Sequence, residues 1–98
     1  MKKLIQVTEE DIVAGLPNFA EKCPIARALK REFPSAFVIW VGYSGSLSLP
    51  TAKIDIEHQP RLISRLGTRA SKFIKRFDRG KTVKPFKFWF KVDDVSSI

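Results

Sequence analysis

From Phe86 to Val92 the chain alternates without a break: Phe86, Phe88, Phe90 and Val92 share one parity, and Lys87, Trp89 and Lys91 the other. A period of two is the mark of a β-strand with one face on a core and the other open. The Phe side demands an apolar layer beneath it, and the Lys-Trp-Lys side suits the open face that a two-layer fold leaves uncovered. Just upstream, Ala70, Phe73, Ile74 and Phe77 recur at helical spacing. At 100° per residue, Arg69, Lys72, Lys75, Arg76 and Arg79 fall together on the opposite side. Thr68 reads as the cap of a helix from about 69 to 79, broken from the preceding segment near Gly67 and closed by Gly80.

These two elements carry most of the chain's charge. Between Arg61 and Lys91 there are eleven Lys and Arg residues against one acid, Asp78, a local charge of +10 that exceeds the net +8 of the whole sequence. Residues 1–49 hold six basic and five acidic side chains, so the asymmetry is confined to the C-terminal part. Like charges weaken a compact state, and folding alone does not call for such a block. An anionic partner explains it, with nucleic acid the leading candidate.

Ninety-eight residues suffice for one domain around a single core, spanning 1–98 with 93–98 as a frayed tail. Apolar residues at 44% and charged residues at 29% are globular proportions, which argues against global disorder. Eight of the aromatic residues are Phe, whose rings lack a polar tip and belong in a core. A single cysteine excludes an internal disulfide and points to a reducing compartment. Acids at positions 9–11 interrupt the N-terminus too early for a signal peptide, and no run is long enough to span a membrane. The expectation is a cytoplasmic protein that makes no use of a membrane.

Along the rest of the chain, residues 2–7 read as a strand. Thr8 with Asp11 forms a capping-box pattern for a short helix that Gly15 and Pro17 stop. Cys23-Pro24 opens a second helix, with Ile25, Ala28, Leu29 and Phe33 on its apolar side and Pro34 at its end. Residues 36–42 (AFVIWVG) are continuously β-branched and aromatic, as in a central strand buried on both faces. Tyr43 to Ser46 is turn-like, 47–49 suggests a short returning strand, and 52–57 alternates. Residues 58–67 fit a helix, a strand or a loop ending at Gly67. The fold class is α+β, a single small domain with an antiparallel or mixed sheet of four to five strands and about three helices, in the order β-α-α-β-β-β-α-β.

Several residues invite a chemical role and also have a plain structural one. The cations of the helix can track phosphates or simply be solvated; the lack of acids at i,i+4 speaks against the second reading. Lys87-Trp89-Lys91 can hold a stacked base between two phosphates, or Trp89 can pack beneath a helix with the lysine stems over apolar surface. Asp55 and Glu57 share a strand face able to hold a cation, or merely an exposed face. His58 is the only histidine and has no evident catalytic partner. Cys23 can be a reactive thiol at a helix start or a buried cap. No phosphate-binding P-loop or dinucleotide glycine pattern is present. No nucleophile–base pair is visible, so an enzyme is the least expected class, and neither cofactor nor metal is expected.

Two stretches stand out together: Val7-Thr8, Asp11-Ile12 and Gly15 with Cys23-Pro24-Ile25-Ala26, and Phe73-Ile74, Phe77-Asp78-Arg79-Gly80-Lys81, Val83, Pro85-Phe86 and Phe88. In these motifs the chain resembles a group of small, mostly uncharacterised proteins encoded by bacteriophages and prophages. The resemblance implies a phage product acting in bacterial cytoplasm and assigns no chemistry to any residue.

The functional expectation is a non-enzymatic accessory protein that binds DNA or RNA. Phosphate contacts are assigned to Arg65, Arg69, Lys72, Lys75, Arg76, Arg79, Lys81, Lys84, Lys87 and Lys91, with Trp89 as a stacking platform. The alternative is an inhibitor docking on an acidic surface of a host defence or transcription complex. A third reading is sequestration of a small anionic nucleotide, which requires a concave pocket.

Overall fold

The computed structural model describes residues 2–43 and 49–91. The turn expected after Tyr43, most of the returning strand expected at 47–49, Val92 and the tail 93–98 lie outside the described residues. The elements are β1 (Lys2–Val7), α1 (Glu9–Ala14), α2 (Pro24–Glu32), β2 (Ala36–Gly42), β3 (Thr51–Ile56), β4 (Leu62–Arg65), α3 (Thr68–Asp78) and β5 (Phe86–Lys91). This is the expected α+β order. The segment left open at 58–67 supplies β4.

The strands pair in two antiparallel sheets rather than one: β1 with β5, and a β2-β3-β4 meander. The sheets meet where the Lys91 N–H donates to Ser64 Oγ at 3.2 Å. Ser64 is fully buried, and its hydroxyl does for the end of β5 what a strand carbonyl would do in a continuous sheet. One hydrophobic cluster serves both sheets, drawing on Ile5, Val7, Ile39, Ile54, Leu66, Phe88 and Phe90 together with Ile25, Ala28 and Leu29 of α2.

Local signals set the helices. The Thr8 hydroxyl accepts the Asp11 N–H, and Asp11 Oδ2 accepts the Thr8 N–H at 2.9 Å, completing the capping box. Asp11 is fully buried and also takes two bonds from Arg31, at 3.0 and 2.6 Å, which tie α1 to α2. Burial alone would raise the Asp11 carboxyl, but the Arg31 and Thr8 hydrogen bonds outweigh it and hold it below its ordinary 3.8. Gly15 is needed for contact: a Cβ there would sit 2.7 Å from the Pro24 ring. Cys23 caps α2, its Sγ accepting the Ala26 N–H at 3.5 Å.

Two local expectations are corrected. Thr68 is the first residue of α3, not its cap; Gly67 holds that place and gives no side-chain bond. The run 36–42 forms an edge strand, not a central one buried on both faces. Phe37 is 68% exposed, and Val38 and Trp40 lie half-buried on a strand with one hydrogen-bonded neighbour, β3, among the described residues. At the other end of α3 the Gly80 N–H bonds Phe77 O and the Lys81 N–H bonds Arg76 O, at 3.0 and 2.9 Å. This is the Schellman pattern, and it requires the left-handed backbone that Gly80 adopts at φ 74°.

Candidate nucleic-acid interface

The inner face of β5 fixes what its outer face can present. Phe88 and Phe90 are buried, and Phe90 lies 5.4 Å, centroid to centroid, from Phe33 at the end of α2. Phe86 meets Phe73 of α3 at 4.7 Å. Lys87, Trp89 and Lys91 therefore point outward and are exposed, with Trp89 51% accessible. With half of its surface accessible, Trp89 does not pack beneath a helix among the described residues, so that alternative does not hold there.

Register adds the neighbouring strand to this face. Lys2 lies opposite Lys91, Leu4 opposite Trp89 and Gln6 opposite Lys87. Lys2 Nζ sits 4.5 Å from the centre of the Trp89 ring, within cation–π range. The ribbon face thus carries an aromatic ring amid three lysines, with no acid among the paired positions. Arg65, exposed at the end of β4, follows directly on the Ser64 that bonds Lys91, so it lies beside this ribbon.

No family model, curated protein or solved structure matches the chain.

The helix cations form a separate surface. Arg69, Lys72, Lys75, Arg76 and Arg79 are all exposed; Lys72, Lys75 and Arg79 lie on the side of α3 away from Ala70 and Phe73, and Arg69 and Arg76 flank Phe73. Since α3 packs against Phe86, on the inner side of β5, its cations and the Lys-Trp-Lys face lie on opposite sides of that strand. Lys75 and Arg76 also sit in the last turn of α3, where the helix dipole favours positive charge. Lys81 and Lys84 are exposed on the loop after Gly80. Asp78, the block's one acid, faces away: its Oδ1 accepts the Asn18 N–H at 2.9 Å.

Other candidates are absorbed by structure. Arg61 is held by Asp55 through bonds of 2.6 and 2.8 Å, so the block's first cation is neutralised. The Arg61 hydrogen bond also holds the Asp55 carboxyl below its ordinary range. That occupies one of the two acids considered for a cation, and no cluster of metal-ligating side chains occurs among the described residues. Burial pushes the Cys23 thiol up, against the lowering effect of the Ala26 and Ile25 amides, which suits a structural cap. Among the described residues no helix is long and apolar enough to cross a membrane.

Lys2 is the member of this face that sequence reasoning missed. Its place opposite Lys91 depends on the pairing of the first strand with the last, and no local pattern encodes that.

Proposed function

We propose that this protein is a non-enzymatic nucleic-acid-binding accessory protein of phage origin, acting in bacterial cytoplasm through the outer face of the β1–β5 ribbon. The observation that carries the reading is Trp89, half-exposed on a strand face between Lys87 and Lys91 with Lys2 over its ring. An accessible indole stacks on any base, and flanking ammonium groups neutralise the adjoining phosphates. Gln6, opposite Lys87, is the one side chain at the paired positions of this face that carries both a donor and an acceptor, so base-edge readout is slight and binding is weakly specific and strongly salt-dependent. Arg65 extends the cationic path from the ribbon toward the second sheet, and the cations of α3 form an auxiliary surface. The test is fluorescence titration with a single-stranded oligonucleotide at several salt concentrations. With Lys2, Lys87 and Lys91 engaged, log K should fall with log salt at a slope of about −2. Affinity independent of salt overturns the reading.

A second reading, inhibition of a host defence or transcription complex by protein contact, draws on a different surface. Phe37 and Leu16 are exposed along a groove of about 730 Å³ beside the β2 edge. Co-purification of a host protein that survives nuclease treatment would favour it.

A further inference from the structure

The loop after Gly80 folds back along α3 and creates a second concavity, which shares only Phe86 with the ribbon. It is a groove of about 450 Å³, and Arg69, Arg76 and Lys84 reach into it. Its floor is apolar, formed by Phe73 and Phe86 with Val83 and Pro85, and among the described residues no acidic side chain lines it. The groove is tied in place: Arg76 Nη2 donates to Thr82 O at 3.2 Å, and the Gly80 turn fixes where the loop departs. That bond uses one guanidinium donor of Arg76 and leaves others to face a ligand.

Three cations at the rim of an apolar trough call for a ligand with two parts, a flat apolar body and a compact anionic end. The geometry points to a nucleoside monophosphate, its base against the Phe73–Phe86 floor and its phosphate between Arg69, Arg76 and Lys84. The volume lies in the range of small-molecule sites. Arginine's planar fork suits a phosphate, and Lys84 adds a point charge. Simple phosphate would leave the floor unused, and an uncharged nucleoside would leave the cations unused. The site uses none of Lys2, Lys87, Trp89 and Lys91, so its test leaves the reading of the ribbon's outer face untouched.

The experiment is two-dimensional amide NMR of the whole chain, titrated separately with adenosine monophosphate, adenosine and inorganic phosphate. The monophosphate should shift the Thr82, Val83, Lys84 and Phe86 amides saturably. Adenosine and phosphate should each bind about tenfold more weakly, the effect of losing charge-assisted hydrogen bonds or base contact. Arg69→Gln and Lys84→Gln change exposed side chains and should each weaken the monophosphate about tenfold, whereas Lys91→Gln should leave it unchanged. Displacement of the monophosphate by a 5′-phosphorylated trinucleotide assigns the site to strand ends; failure to displace it assigns the site to free nucleotide. The proposal is overturned by the absence of saturable shifts at these amides, or by phosphate binding as tightly as the monophosphate. Loss here with oligonucleotide binding intact at the ribbon removes the groove alone.

Discussion

The two faces of β5 are built from alternate residues of one six-residue strand and do opposite things. Phe86, Phe88 and Phe90 join both helix contacts and the shared core, while Lys87, Trp89 and Lys91 are exposed, with Lys2 over the Trp89 ring. The contrast shows how this chain accommodates so much positive charge. Where a charge is buried it is paired, as Asp11 is with Arg31; on the outer face of β5, Lys87 and Lys91 make no ion pair among the described residues.

Truncating the inner face should produce the largest change. Phe90→Ala removes a fully buried ring and should lower stability by about 3–5 kcal/mol, read from chemical denaturation. An effect no larger than that of Trp89→Ala would erase the distinction between the faces. Next comes the buried charge. Arg31→Ala leaves the Asp11 carboxylate without its main partner and should cost about 3 kcal/mol at neutral pH, the low end of the usual range because Arg31 is half-exposed. The folded-state carboxyl lies below its ordinary 3.8, so the pair's contribution is complete above that value and is lost as pH falls through the folded one. The gap between wild type and variant should therefore close on acidification. A gap that is constant with pH would mean that Asp11 stays charged without help.

On the outer face the effects move from stability to binding. Trp89→Ala should change folding by less than about 0.5 kcal/mol, as exposed sites do, yet weaken single-strand binding by about 1–3 kcal/mol. The double variant Lys87→Gln, Lys91→Gln should keep the wild-type melting curve and flatten the salt dependence by a slope of about 1.4. The smallest effect concerns the seam between the sheets. Ser64→Ala strands the Lys91 N–H and should cost about 1 kcal/mol, with amide exchange at Lys91 accelerating before that at Phe88.

What was legible in the sequence is what is encoded locally. The Thr8–Asp11 box, the Cys23-Pro24 start, the apolar stripe of α3 and the alternation of β5 each depend on residues a few positions apart, and each stands where its pattern places it. The pairing of β1 with β5, the reach of Arg31 to Asp11 and the capture of Arg61 by Asp55 depend on how elements dock, so the +10 block was read without knowing that its first member is neutralised. The β2 run misled because apolar continuity suits a buried strand, yet here Lys53 lies over Trp40 and shields an edge strand's outer side. The placement of the helix cations relative to the strand cations likewise depends on docking, through the contact of Phe73 with Phe86 on the face of β5 opposite Trp89.

The central claim is that the Trp89 face of the ribbon is where an anionic strand binds. The chain has two tryptophans, so Trp40→Phe leaves Trp89 as the single indole reporter. Titrating that variant with a short single-stranded oligonucleotide should quench its fluorescence saturably, and added salt should reverse the quench. Saturable binding by an independent measure, with the Trp89 signal unmoved, would contradict the account.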